Sequence, residues 1–395
     1  MGPLNGVKVL ELAQIMAGPT CGMLLADLGA DVVKVERIPR GDDTRDMNRP
    51  SVNGESAAFM AMNRNKRGMA LNLKLPAARD ALKRMVAQSD VITENYRKGT
   101  MEKLGLGYEA LRGVNPALIY CSISGYGRTG PYADKGGFDL IAQGMSGLMA
   151  ITGEPGRPPV KSGSPICDIN AGILGALGIV SAYVHRLKTG EGQLVDTSLF
   201  EAGIQQTYWQ AAIYFATGTA PGPSGSAHIL SAPYQAFQAK DGWLTIGGAN
   251  QSNWERLVRV VGAPQWLDDP RFRSNAERMD HLPALAEAMN ARLKEKTVGE
   301  WRGLLEAEGV PCGPINSIAQ MAADPQTAAR QMVVELEHPK AGKTRALGLP
   351  IKFSATPGRV ARSAPTYGEH TREVLGEFGF SAAEIEALIA SGAAA

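Results

Sequence analysis

Val7-Lys-Val-Leu-Glu-Leu-Ala-Gln-Ile-Met-Ala-Gly-Pro-Thr-Cys-Gly-Met-Leu-Leu-Ala-Asp-Leu-Gly-Ala-Asp-Val-Val-Lys-Val-Glu36 is the stretch from which the fold of this chain follows. Val7–Leu12 reads as a strand. Ala17-Gly-Pro is a turn, and Pro19 suits a first helical position. Leu24, Leu25 and Leu28 lay an apolar stripe along the helix beyond, which Gly29 closes. Asp31–Glu36 is the second strand. The alternation continues, with strands at Val91–Asn95 and Leu118–Ile123 after helices near Ala77–Gln88 and Met101–Arg112. Strands separated by helices of this size need crossover connections, which make a parallel sheet. The expected fold class is α/β, with a Rossmann-like parallel-sheet large domain. A nucleotide site does not follow. The Ala13–Pro19 turn lacks GxGxxG and no GxxxxGK[ST] occurs, so the glycine approach that such phosphates need is missing.

Further on, Lys161-Ser-Gly-Ser-Pro-Ile-Cys-Asp-Ile-Asn-Ala-Gly172 sets Asp168 among small and apolar residues ahead of a helix at Ile173–Leu187. Two readings of Asp168 stand side by side. It caps the helix, together with or instead of Asn170, or it is a carboxylate nucleophile where helix amides steady an oxyanion. A turn and short strand at Gly190–Ser198 precede a helix from about Leu199 to Ala216. Gly218–Ser226 is a Gly, Pro and Ser-rich linker. Tyr234–Phe237 and Trp243–Ile246 flank Lys240-Asp-Gly242 as a hairpin. Gly247–Gln251 ends that strand and caps the next helix. Helices at about Asn253–Val261, Leu282–Glu295 and Val298–Glu308 complete a small α+β domain. Short strands return near Glu335–Lys352, and the tail from Thr371 is helical. The expected organisation is a large domain over 1–216, a linker or lid loop over 217–232, the small domain over 233–330, and a return segment over 331–395.

The 41 basic and 39 acidic residues leave a net charge of +2, so no global field calls for nucleic acid or an anionic membrane. The start Met-Gly-Pro-Leu-Asn-Gly lacks a signal-peptide pattern, and no run approaches the roughly 18 uncharged apolar residues of a membrane span. No membrane partner and a cytoplasmic location are expected. Cys21, Cys121, Cys167 and Cys312 are unpaired in spacing, and the five histidines are scattered, so neither a disulfide framework nor a metal is expected.

The chain resembles the family III CoA transferases, which include formyl-CoA:oxalate, carnitine and succinyl-CoA–dependent dicarboxylate enzymes. The resemblance spans about Leu4 to Gly392. It is carried by Leu4–Leu12, Ala17-Gly-Pro, Asp27–Arg37, Gly41-Asp-Asp-Thr-Arg45, Asn63-Arg-Asn-Lys-Arg67, Glu94-Asn-Tyr, Gly105–Tyr108, Ser122–Gly127, Ile169-Asn-Ala-Gly, Lys188–Gln193, Gly309–Ile315 and Gly368–Thr371. It implies that Asp168 is the nucleophile, passing through mixed anhydrides and an aspartyl-CoA thioester. It implies that acyl-CoA is bound by Met16, Ala17, Arg37, Leu71, Asn72, Leu73, Lys74, Asn95, Tyr96, Arg97, Lys103, Gly136, Gly137, Phe138 and Asp139. Arg37 and Lys103 suit the adenosine-end phosphates.

The resemblance also implies a lid near Pro223–Pro233, with His228 able to meet a substrate carboxylate. An interlocked homodimer, a coenzyme A substrate, and neither metal nor redox nucleotide are expected with it. Met16 stands where the oxalate enzymes carry a glutamine, which argues against oxalate. Wording around Ala232–Phe237 and Val310–Ile315 is similar to the succinyl-CoA:glutarate branch, so a succinyl-CoA donor and a dicarboxylate acceptor are expected. The alternatives are a 2-methylacyl-CoA racemase or a carnitine-type transferase. Gly137-Phe-Asp139 replaces the racemases' Gly-His-Asp, and Phe138 cannot move a proton.

Overall fold

The computed structural model describes residues 2–395. Its main sheet has six parallel strands: β1 Lys8–Glu11, β2 Asp31–Arg37, β3 Arg67–Leu71, β4 Val91–Glu94, β5 Ile119–Ser124 and β6 Leu194–Ser198. They lie in the order β3-β2-β1-β4-β5-β6. Leu10 of β1 sits opposite Val33 on one side and Ile92 on the other. The interior strands are covered on both faces, which is why they read as near-continuous apolar runs. Strand β3 was not expected from the sequence. Arg67-Gly-Met-Ala-Leu71 has no β-branched residue, yet all five residues are buried beside β2.

Helix α1 (Ala17–Asp27) begins directly after Met16, so Pro19 lies inside the first turn rather than at its first position. The missing N–H costs little there, because first-turn amides have no intrahelical acceptor. Helices α2 (Ala57–Asn63) and α3 (Pro76–Val86) follow. The helix expected over Met101–Arg112 is two, Thr100–Lys103 and Tyr108–Val114, separated at Leu104-Gly-Leu-Gly107. Then come α4 (Asp139–Met145) and α5 (Ile166–Thr189). The helix expected from Leu199 to Ala216 is likewise two, Leu199–Gln205 and Tyr208–Thr217.

Helix α5 corrects two expectations. It starts at Ile166, not near Ile173, so Asp168 and Asn170 are inside it and Pro165 is the N-cap. With 24 residues and a mean hydropathy of 1.5 over its best window, it is also long and apolar enough to cross a membrane. Here Cys167, Ala171, Gly172, Gly175, Ala176, Ile179 and Ala182 form a buried small-residue face.

The chain divides into two units. The first comprises the described residues up to Met149, then Lys161–Ala212 and Pro325–Ala395; the second comprises Ala150–Val160 and Ile213–Asp324. The second unit therefore takes in a short early segment that lies within the expected 1–216 span. In the first unit, Leu10, Val33, Met69, Leu71, Leu82, Met85, Ile92 and Tyr120 share one core with Val374, Leu375, Phe378, Ile385 and Leu388 of the tail. The tail also bonds to the end of β3: Asn72 N–H donates to Ala393 O (2.9 Å) and Ala395 N–H to Ala70 O (3.2 Å).

The second unit has an antiparallel sheet of Tyr234–Gln238, Trp243–Gly247 and Cys312–Pro314. Helices Gln251–Val260, Leu282–Leu293 and Val298–Ala307 bury Trp254, Leu285 and Trp301 in its core. Asn250 caps the first of these by accepting from Asn253 N–H.

Candidate active site

A parallel sheet gathers the loops at its carboxyl ends, and a ligand cleft opens where the strand order reverses. In this sheet that point lies between β1 and β4, since the chain steps outward from β1 to β2 and β3 and then returns to β1's other side. A cleft of about 1240 Å³, counting its open mouth, lies there. Gln14, Ile15, Met16 and Ala17 line it after β1, Asn95–Lys98 and Thr100 after β4, and Ser124 and Gly125 at the end of β5. Gly136, Gly137, Phe138 and Asp168 complete the wall, which belongs wholly to the first unit.

Asp168 projects from the first turn of α5 and is partly buried. Pro165 supplies no capping side chain, so the cap comes from another helix. Asp139 Oδ1 accepts from Cys167 N–H (2.9 Å) and Asp168 N–H (3.3 Å). Gln143 Nε2 holds the other Asp139 oxygen at 2.6 Å, while Gln143 Oε1 accepts from Ser162 N–H (2.9 Å). Burial, and secondarily the Asp139 charge, push the Asp168 carboxyl up to about 7. Burial and the same two carboxylates push the adjacent Cys167 thiol up to about 12. Cys167 therefore stays protonated, and Asp168 is the neighbour that ionises near neutrality.

Several expected ligand positions have other work. Asp139 is a helix cap and does not line the cleft. Asn95 stitches the β1 and β4 loops together: its Oδ1 accepts from Gln14 N–H (2.8 Å) and its Nδ2 donates to Gln14 O (2.7 Å). Arg37 pairs with Asp43, and it is Asp43 that faces the cleft. Leu71, Asn72, Leu73 and Lys74 are outside the lining; Leu71 is a core residue, and Asn72 is bonded to the tail. Lys103 is exposed on its short helix. His228 belongs to the second unit, where its ring stacks on Tyr234 at 5.1 Å and its Nδ1 accepts from Leu230 N–H. Met16, Ala17, Asn95, Tyr96, Arg97, Gly136, Gly137 and Phe138 do come together with Asp168.

Gln14, Ile15, Asp43, Lys98, Ser124 and Lys135 were missed. Most follow a strand's carboxyl end, a position that could have been read from the strand assignments. With Arg97, the two lysines give the cleft three cationic side chains suited to phosphates and carboxylates. Gly125 and Gly137 touch backbone to backbone: a Cβ on Gly137 would stand 2.6 Å from Gly125 Cα. That approach carries Phe138, 74% exposed, to the rim.

The electrostatic coupling is testable without reference to any reaction. Asp139→Asn keeps an acceptor for the α5 amides but removes the like charge. The Asp168 carboxyl, followed by carbon-13 NMR, is expected to titrate near 7 in the wild type and at lower pH in this variant. An unmoved or raised midpoint would contradict the coupling.

The chain is similar to known proteins over nearly its whole length. A family model described as CoA-transferase family III matches residues 4–371. Succinyl-CoA:glutarate CoA-transferase of Mus musculus is 38% identical over 99% of this chain and 90% of its own length. Succinate–glutarate CoA-transferase of Agrobacterium fabrum is 40% identical over 95% of both. The crystal structure of a CAIB/BAIF family protein from Brucella suis superimposes with a TM-score of 0.85 at 40% identity, over 95% of this chain and 99% of that one.

Proposed function

The chain belongs to CoA-transferase family III, and from that membership we propose that it moves CoA from succinyl-CoA to a dicarboxylate such as glutarate through covalent acylation of Asp168. The observation that carries this reading is Asp168 itself. It is a partly buried carboxyl on the first turn of a long helix, ionising near neutrality, in the wall of a cleft at the sheet's switch point.

In the first step the Asp168 carboxylate attacks the succinyl thioester carbonyl. The C–S bond breaks, CoA leaves as thiolate, and a succinyl–aspartyl anhydride remains. Thiolate attack on the aspartyl carbonyl expels succinate and leaves an aspartyl-CoA thioester. The acceptor carboxylate attacks that thioester, releasing thiolate again. The thiolate then takes the acceptor's acyl carbon and restores the Asp168 carboxylate. Each step keeps an activated acyl group, so no hydrolysis is needed. A nearly neutral pKa fits a nucleophile that is desolvated yet still ionised at physiological pH. Arg97, Lys98 and Lys135 supply positive charge for the phosphates and the second carboxylate. Phe138 offers no proton at the rim, which supports transfer over racemisation.

The test is chemical. Protein incubated with succinyl-CoA, quenched with hydroxylamine and digested is expected to yield a hydroxamate on the peptide bearing Asp168. Active protein with that peptide unmodified would end the proposal.

A homodimer belongs to the same reading. Ile173, Leu177, Val184 and Leu187 leave an exposed apolar stripe on α5, and Leu140 and Ile141 are exposed on α4. Apolar faces of this extent are ordinarily covered. A sedimentation mass near 41.9 kDa, one chain, would count against it. The interlocked form rests on the resemblance alone.

A further inference from the structure

We infer that Asp42, Lys34 and Lys66, gathered on Glu11, are positioning residues that hold the Ala13–Pro19 segment against the Asp168 helix. This rests on the reading of Asp168 as the acylated group. Two sequence motifs that add little to the cleft wall, Gly41–Arg45 and Asn63–Arg67, supply Asp42 and Lys66.

The two ammonium groups are completely buried. Lys34 Nζ lies 2.8 Å from Asp42 Oδ2, 3.1 Å from Glu11 Oε1 and 2.9 Å from Ala13 O. Lys66 Nζ lies 3.0 Å from Glu11 Oε1, 2.9 Å from Asn63 Oδ1 and 2.9 Å from Pro19 O. An ammonium has three N–H donors, and each of these has three acceptors. One acceptor of each is a backbone carbonyl, and those two carbonyls bracket Gln14–Gly18. Between them, Asp42 accepts from Ile15 N–H at both oxygens (3.1 and 3.2 Å). Ile15 has φ +68°, a left-handed conformation that a β-branched residue holds only when its surroundings over-determine it.

The clamped segment abuts the nucleophile's helix. Gly172 is one turn beyond Asp168, and a Cβ there would lie 2.6 Å from Ala17 O and 2.6 Å from Thr20 Cβ. The start of α1 is thus pressed on α5 beside Asp168, with Met16 and Ala17 turned into the cleft wall. Buried ion pairs are weak stabilisers compared with apolar packing, so stability alone does not account for four charges here. A fixed loop does. Burial alone would raise the Asp42 carboxyl, but Lys34 overcomes it and holds the group at about 2, so this anchor stays charged throughout the working range.

The experiment uses the full chain labelled with carbon-13 at the methionine methyls, the Met16 signal being assigned with Met16→Leu. In Asp42→Ala the Met16 signal is expected to shift or broaden. The kcat of CoA transfer is expected to fall about ten-fold or more, with KM for succinyl-CoA changing less than about three-fold. Asp42→Asn, which retains an oxygen for Ile15 N–H, is expected to recover most of kcat and the Met16 signal. An unmoved Met16 signal, or a kcat within about two-fold of wild type in folded Asp42→Ala, would overturn the inference. So would Asp42→Asn losing as much as Asp42→Ala. Should Asp42→Ala not fold, Lys66→Met is read by the same two measurements, with the same outcomes expected. If wild-type Asp168 takes no adduct, the proposed function fails, while the Met16 signal still decides whether the clamp exists.

Discussion

Asp168→Asn is expected to slow CoA transfer by at least about 10³-fold and, at the same time, to make the folded protein harder to melt at about pH 8. The first effect follows because an amide cannot form the acyl–aspartyl bond. The second follows from the raised carboxyl. An ordinary aspartate ionises near 3.9, whereas this one is pushed up to about 7. Between those values the folded state keeps a proton that the unfolded state has released, so stability falls as pH rises through the window. Above it the full penalty of a desolvated charge beside Asp139 is present. A shift of about three units corresponds to roughly 4 kcal/mol, and solvent reaching a partly exposed carboxyl reduces this to about 1–3 kcal/mol. Asparagine removes the charge and keeps the shape. Thermal melts at about pH 8 should favour the variant, and the advantage should vanish near pH 4. A variant less stable than wild type at about pH 8 would refute the burial argument.

Glu11→Ala is expected to destabilise the fold by about 3–5 kcal/mol, the usual cost of removing one partner from a buried ionic group. Glu11 is fully buried and is shared by Lys34 and Lys66. Without it, two buried ammonium groups remain with Asp42, paired to Lys34, as the one carboxylate in ion-pair contact with them among the described residues. Burial already pushes Lys66 down to about 8 against the pull of Glu11. Its deprotonated form should then become the favoured one, so the deficit should lighten as pH rises. Guanidinium unfolding midpoints would measure the loss. The pair Glu11→Leu with Lys66→Met, which deletes one charge of each sign, should recover part of it. A loss below about 1 kcal/mol in Glu11→Ala would show that the cluster is not the tightly paired unit its distances indicate.

How far the sequence was readable depended on the range of the contacts involved. Strands β1, β2, β4 and β5 announce themselves through apolar runs, because a buried parallel strand has both faces to fill. Strand β3 does not, since Arg67-Gly-Met-Ala-Leu71 becomes a strand only through pairing with β2 and packing under Pro365. The start of α5 was placed too late because Ser-Gly-Ser-Pro and Asn-Ala-Gly look like breakers. Gly172 is inside the helix because Ala17 O needs the space a side chain would fill. Asp168 stood out from its setting and from the family motifs. Its partner's role did not: that Asp139 caps α5 depends on how α4 packs, which no local pattern encodes. The contact of Leu71 and Asn72 with the tail is hidden for the same reason, since the segment that meets them lies more than three hundred residues away in the chain.

That meeting has a consequence for biosynthesis. Leu71 forms an antiparallel bridge with Ala394, Ala395 bonds to Ala70, and His370 and Thr371 bond to Gly68 and Ala70, so the margin of the sheet at β3 is covered by residues 370–371 and 393–395. During translation the strand leaves the ribosome long before its cover exists. Until the segments that cover it emerge, the β3 edge is an unpaired template for pairing with other chains.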